Sequence, residues 1–198
     1  MVVQSFLSSL QPPKFNKKVK VKKVERVQHL AAWQSYVVKR QTICYRECPD
    51  GAANPAAMVK AINRVERCWL WHGSNAEVVD KILQQGFNRS FCGKNATVYG
   101  KGVYFARDAR YAQVVCTNCC IPDSKGIQYI MACRVVVGEY CRGTKDALTP
   151  DVRDARNNIL YDSTVGLGRG DTMDSPSIYV TYHDAQAYPE YLISFKAS

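Results

Sequence analysis

The chain has 198 residues, 46% hydrophobic and 22% charged, with a formal net charge of +10. That length suits one domain burying roughly 70% of its unfolded surface, so neither disulfides nor a structural metal is needed for folding. No apolar run approaches the ~20 residues that span a bilayer. The N-terminal "MVVQSFLSSLQPPK" has no basic region ahead of its apolar residues, and the nine cysteines follow no regular spacing; both fit reduced thiols in a cytoplasmic or nuclear protein.

Residues 1–16 read as a loose leader punctuated by Pro12 and Pro13, with the folded domain running over 17–198. In "KKVKVKKVERV", Val19 and Val21 alternate with lysines, which predicts a first strand, and the alternation slips at Lys22-Lys23, where a bulge is expected. Lys14, Lys17, Lys18, Lys20, Lys22 and Lys23 carry much of the positive charge. They read best as a solvated strand edge that discourages strand-to-strand aggregation, ahead of a weak nucleic-acid contact. Leu30, Trp33 and Val37 fall at helical spacing and predict a helix over about 29–40, and "CPDGAANPAA" reads as a loop.

"RCWLW" (67–71) is a short aromatic strand in which Trp69 and Trp71 share one face, Leu70 and His72 the other. "SNAEVVDKILQQG" follows as a helix capped by Ser74 or Asn75 and ended by Gly86, with Val78, Val79, Ile82 and Leu83 as its apolar stripe. "VYFA" (103–106) is a strand, "RDARYAQ" a short helix, and "IQYIMACRVVVGEY" a long central strand. "SIYVTYHD" and "YLISFKA" are late strands separated by a turn at 187–189. Interspersed helices and a strand-rich second half give a mixed α/β or α+β class.

Chemistry concentrates in two places. His72 precedes Gly73, and a residue without a side chain lets a ligand approach the backbone, whose N–H and C=O can grip a carboxamide. Tyr104 projects opposite to Val103 and Phe105, with glycines on either side of Lys101 leaving room beside its ring for stacking. No metal is expected: His29, His72 and His183 lie far apart, and Cys116, Cys119 and Cys120 lack a second ligand pair at zinc spacing. Walker, nucleophile-elbow and G-x-G-x-x-G patterns are missing from the sequence.

The run "WLWHGSNAEVVDKILQQGFNRSFCGKNATVYGKGVYFARDA", with "PSIYVTYHDAQAYPEYLISF" and "VKKVERVQHLAAWQSYVVKR", closely resembles the catalytic domain of poly(ADP-ribose) polymerase-like enzymes, nearest their mono-ADP-ribosyltransferase branch. The resemblance runs from about Val19 to the C-terminus. It implies an α+β ADP-ribosyltransferase-type fold, two packed mixed or antiparallel sheets flanked by helices, with NAD as substrate and no metal. By position it implies that His72 bonds the adenosine-ribose 2′-hydroxyl, Gly73 and Ser74 hold the carboxamide, and Tyr104 stacks on the nicotinamide. Asn88 and Arg89 would border the adenosine, with Tyr99 and Tyr111 also lining the site.

The third triad position falls at Ile178, where polymer-forming relatives carry a glutamate; the resemblance thus implies transfer of a single ADP-ribose to acidic side chains of proteins, this one included. Asp174 and Glu190 are nearby carboxylates that could substitute. Ala112 stands where the family has a carboxamide-binding serine, a loss of about 1 kcal/mol. No aromatic occurs between Tyr111 and Tyr129 to close the far side of the ring. These departures keep open an alternative, a catalytically weak or inactive NAD- or ADP-ribose-binding module.

Overall fold

The described chain builds four α-helices and ten strands. In order they are α1 (Val2–Ser9), β1 (Val19–Arg26), α2 (Leu30–Glu47), α3 (Pro55–Val65), β2 (Glu66–Ser74), α4 (Ala76–Gln85), β3 (Val103–Ala106), β4 (Gln128–Val136), β5 (Tyr140–Arg142), β6 (Val152–Asp154), β7 (Ile159–Leu160), β8 (Ser163–Gly166), β9 (Ile178–Thr181) and β10 (Ala187–Ala197). This computed structural model describes residues 1–10, 19–91, 97–112 and 120–197. Lys14, Lys17, Lys18, Cys116 and Cys119 therefore lie outside the described residues.

The class is α+β. Instead of two separate sheets, eight strands join in the order β1-β10-β4-β2-β3-β9-β8-β5, and β6 with β7 forms a small ribbon. Most neighbours are antiparallel, while β5 and β8 run parallel. The reason two sheets become one is a single residue pair: β2 and β3 are in register only at Trp71 and Ala106. On one side β2 pairs β4 along its length, and on the other β3 pairs β9 from Val103 to Ala106. From His72 onward β2 and β3 are thus unpaired, and the two halves of the sheet splay there.

Two cores sandwich the sheet. Leu70, Phe105, Met131 and Leu192 meet Val79 and Ile82 of α4 on one face. Trp71, Ala106, Ile178, Val180 and Phe195 meet Phe6 of α1 on the other. Alternation along β2 and β3 follows the strand period, as the sequence predicts. Central β4 is buried over most of its length. A third cluster joins Tyr36, Ile43 and Val65 of the α2–α3 pair to Val136 and Tyr188.

Several local features follow the expectations closely. β1 is an edge strand whose Lys20, Lys22 and Lys23 are exposed, and its register with β10 shifts between Val21 and Lys23. Asn75, not Ser74, caps α4, its side chain accepting from the Val78 N–H at 2.9 Å. Gly86 ends the helix at φ +78°, a left-handed conformation in which a Cβ is strained.

Other segments differ. The expected leader contains α1, and Phe6 is fully buried against Trp71 and Phe195 at 5.6 and 5.2 Å between ring centroids. Burial of such a ring contributes about 1.5–3 kcal/mol, enough to dock a short helix. α2 continues to Glu47 because Ile43 and Cys44 extend its buried stripe. The expected loop ends early, since Asn54 caps α3 by accepting from Ala57 N–H at 3.1 Å and Pro55 occupies its first turn. β10 begins at Ala187; the turn lies at Asp184–Gln186, closed by a capping box between His183 and Gln186. Pro189 stays in the strand because the ladder with β4 shifts register beside it.

Candidate active site

Two of the three histidines are helix caps. His29 Nδ1 accepts from Ala32 N–H and its other nitrogen meets the Gln84 carbonyl at 2.9 Å, while His183 Nδ1 accepts from Ala185 N–H. His72 alone sits in the sheet. Its Nδ1 lies 2.8 Å from the Tyr104 backbone oxygen. A carbonyl only accepts, so Nδ1 carries the proton and, in the neutral ring, Nε2 presents a lone pair. Phe87 and Phe105 hold the imidazole at 5.2 and 5.5 Å. Burial lowers its pKa below the ordinary value near 6.5; the bond to Tyr104 acts the other way without offsetting it. The ring is therefore a neutral acceptor of fixed tautomer at neutral pH.

Tyr104 is pinned differently. Its hydroxyl donates to the Gly100 carbonyl at 2.8 Å and accepts from the Tyr99 N–H at 2.9 Å. The phenol is thereby committed to its own turn, and the half-buried ring becomes a flat, fixed surface on the second core's face. The glycines beside Lys101 serve the protein rather than a ligand. Gly100 (φ +116°) packs under the Tyr182 hydroxyl, and Gly102 lies against the Thr181 backbone.

Ile178 occupies the same face. It pairs with Ala106 while Tyr104 pairs with Val180, so Tyr104 and Ile178 are diagonal neighbours, a separation of roughly 7–8 Å in a pleated pair. Its side chain is 4% exposed, which leaves that position sealed and apolar.

At Gly73 the side that a Cβ would occupy is filled from within the chain, while the main-chain N–H and C=O are a separate matter of the strand edge. A Cβ there would run into the Cys120 sulfur and lie 3.0 Å from the Ala112 carbonyl oxygen. Glycine is needed at this position to seat Cys120, whose thiol donates to the Tyr129 carbonyl at 3.3 Å and is pushed up to about 12 by burial. Ser74 is buried beside it. Ala112 is buried in the same cluster, and Tyr111 is half-buried at its rim. Burial raises the Tyr111 pKa, with Tyr99 and Asp171 adding to the effect.

The sequence matches the poly(ADP-ribose) polymerase catalytic domain family over residues 1–197. The chain belongs to that family. It is 35% identical over 178 residues to the protein mono-ADP-ribosyltransferase PARP14 of Homo sapiens, covering 89% of this chain and 9% of that protein. It is 34% identical over 178 residues to PARP12 of Mus musculus, covering 90% and 22%. It is 33% identical over 195 residues to PARP10 of Mus musculus, covering 98% and 18%. Both of the latter carry the same mono-ADP-ribosyltransferase description, and the chain spans less than a quarter of each of these three relatives.

For this family member the remaining expected residues divide sharply. Tyr99 supports the site from below: its ring packs on Gly166, and its carbonyl accepts from Thr164 Oγ1 at 2.7 Å and the Tyr182 hydroxyl at 3.3 Å. Asn88 is exposed and its side-chain oxygen accepts from Ser90 N–H at 2.8 Å, capping a short turn. Arg89 directs all three guanidinium nitrogens at backbone carbonyls. Residues 92–96 of the loop that follows, and residues 113–119 beyond Ala112, lie outside the described residues.

The two carboxylates considered as substitutes at Ile178 are not equivalent. Glu190 is on β10, with β4, β2 and β3 between it and β9. Its oxygens are taken by Trp69 Nε1 at 2.6 Å and by Arg134 at 3.1 and 3.3 Å, so it belongs to a buried ion pair. Asp174 is exposed on the segment before β9. Among the described residues no cluster of three or more histidine, cysteine or acidic side chains is placed to hold a metal ion, and no helix is long and apolar enough to cross a membrane. Sequence reasoning weighed Cys120 only as a zinc ligand and missed Tyr182 and Thr164; the Tyr-His doublet after β9 was the available signal, and its spacing does not point to His72 or Tyr104.

Proposed function

We propose that this chain is an NAD-dependent mono-ADP-ribosyltransferase acting on acidic side chains of proteins, itself included. The observation that carries this reading is the trio formed where the sheet splays: neutral His72 locked to the Tyr104 carbonyl, the fixed phenol of Tyr104, and apolar Ile178 diagonal to it. Family membership and relatives described as mono-ADP-ribosyltransferases support it.

The residues present fit NAD as substrate. The His72 Nε2 lone pair suits a ribose hydroxyl donor, the Gly73 main chain an amide, and the Tyr104 ring a planar pyridinium face. In the reaction the bond between the ribose anomeric carbon and the nicotinamide nitrogen breaks. Its electron pair stays with nitrogen, so the cationic ring leaves neutral and needs no proton. An acceptor carboxylate oxygen forms the new bond to the same carbon. His72 and Tyr104 contribute by orienting the two ends of the reactant, an effect that supplies several kcal/mol in well-aligned systems. With Ile178 unable to bond a ribose hydroxyl, the third triad position offers no carboxylate to align a further sugar, which supports a single transfer. The acceptor's own charge then stabilises the developing oxocarbenium.

Ala112 and the Cys120 thiol against Gly73 favour a second reading, a module that binds NAD or ADP-ribose without turnover. No hydroxyl at 112 completes the carboxamide contacts. Incubation with labelled NAD separates the two: the enzyme labels itself or a partner and His72→Ala stops it, whereas calorimetric binding with no labelled acceptor supports the module. The free thiols of Cys44, Cys48, Cys68, Cys120, Cys133 and Cys141 fit a cytoplasmic or nuclear setting. Lys20, Lys22 and Lys23 on the exposed edge support solubility first; a nucleic-acid contact there would be weak and steeply salt-dependent.

A further inference from the structure

Arg89 is placed by the family resemblance at the adenosine end of the cleft, yet its contacts point inward. Nε donates to the Lys101 carbonyl at 3.2 Å, one terminal nitrogen to the Tyr182 carbonyl at 3.3 Å, and the other to the Leu148 carbonyl. The guanidinium also lies over the Tyr182 ring, 5.5 Å from its centroid, and the Arg89 backbone N–H donates to Asp184 Oδ1 at 2.7 Å. Three carbonyls from three separate segments thus converge on one planar cation. A planar fork can satisfy such a set, and a lysine ammonium cannot.

Each of those segments leads to Tyr104. Lys101 adjoins Gly100, whose carbonyl receives the Tyr104 hydroxyl. Its own N–H donates to Ala147 at 2.8 Å, next to Leu148. The Tyr182 hydroxyl bonds the carbonyl of Tyr99, whose N–H is the other partner of the Tyr104 hydroxyl. Arg89 therefore closes the turn at 97–102, the loop at 143–151 and the end of β9 into one wall.

We propose that Arg89 is a positioning residue that sets the angle of the Tyr104 ring through this wall, and that it governs binding at the nicotinamide end of the slot as much as at the adenosine end. The inference rests on the reading of the cleft as an NAD site and changes the role of one residue in it. A direct adenosine contact would serve only ligands that carry adenosine.

The test is isothermal calorimetry on wild type, Arg89→Ala and Arg89→Lys with two probes, ADP-ribose and 3-aminobenzamide, the second of which has no adenosine. The expected result is a parallel rise in Kd for both probes, each about tenfold, the scale of one charge-assisted hydrogen bond, at unchanged stoichiometry. Arg89→Lys keeps the charge and should not restore either affinity. Loss of ADP-ribose affinity with benzamide binding intact overturns the proposal in favour of direct contact. A fall in stoichiometry at unchanged Kd also overturns it, because that is the mark of a residue needed only for folding. If Arg89→Ala does not fold, Arg89→Lys decides by the same two affinities. Wild-type protein that binds neither probe removes the NAD site itself and this inference with it, which distinguishes the two failures.

Discussion

His72 Nδ1 and the Tyr104 carbonyl oxygen are 2.8 Å apart beside Trp71 and Ala106, where, among the described residues, the two halves of the sheet pair. One hydrogen bond therefore fixes the tautomer of the ring and joins the strands on either side of the cleft. Replacing His72 by alanine should remove turnover while leaving a folded protein. His72→Gln, which can donate to the same carbonyl, should recover stability better than activity. Thermal melts run beside a labelled-NAD assay check both.

The buried imidazole also predicts a pH dependence. Its folded pKa is lowered, so between the ordinary value near 6.5 and the lower folded value the unfolded chain binds the proton more readily. Stability contributed by His72 is present above that ordinary value and is lost as pH falls through the window below it. NAD affinity should fall once the ring protonates, because Nε2 then ceases to accept. Denaturant melts from pH 8 to pH 5 should show the loss, and His72→Gln should flatten that part of the profile.

Removing the Tyr104 hydroxyl while keeping its ring isolates the pinning. Tyr104→Phe leaves the Gly100 carbonyl and Tyr99 N–H without their partner, about 1 kcal/mol for each bond. The expected outcome is a several-fold higher KM for NAD with a smaller change in kcat. Tyr104→Ala, which also removes the stacking surface, should lose far more. Steady-state kinetics on the pair measures the difference.

Gly73→Ala should destabilise by about 1–3 kcal/mol, since the added methyl meets the Cys120 sulfur in a packed cluster. Cys120→Ala in the same chain should return part of that loss and leave the part due to the nearby Ala112 carbonyl. A double-mutant cycle of melting free energies reads the coupling; purely additive effects would show that Cys120 is not what requires glycine there.

Ile178→Glu is not expected to produce a polymer-forming enzyme. The new carboxyl would lie in a nearly sealed apolar cluster beside Trp71 and Ala106, where burial raises its pKa. With a raised folded pKa, the protonated form is the one the fold tolerates, so stability should drop as pH rises above about 4.3. Melts against pH and gel mobility of the NAD-treated variant check the two halves of this statement.

Much of the local structure around β2 and α4 was readable because short patterns there have one physical solution. Asn75 and Gly86 bracket α4 as cap and stop, and alternation sends Trp71 and Leu70 to opposite cores. His72, Tyr104 and Ile178 lie on β2, β3 and β9, the strands that the sequence expects for them. What escaped was tertiary. Phe6 docks α1 onto Trp71 through one buried ring, a contact that no local periodicity announces. Asn54-Pro55 does start a helix, but its loop-like composition masks the cap. The glycines at 73, 100 and 102 read as room for a ligand, yet the side-chain space they leave is filled by Cys120, Tyr182 and Thr181, partners distant in sequence. Arg89 likewise has its role set by carbonyls of Lys101, Leu148 and Tyr182, which folding alone brings together.

Intact-protein mass spectrometry after incubation with NAD measures the central claim most directly. The account predicts discrete additions of single ADP-ribose units that vanish in His72→Ala. A ladder of chains on one site, or an unmodified mass in the presence of bound NAD and acidic acceptors, would contradict it.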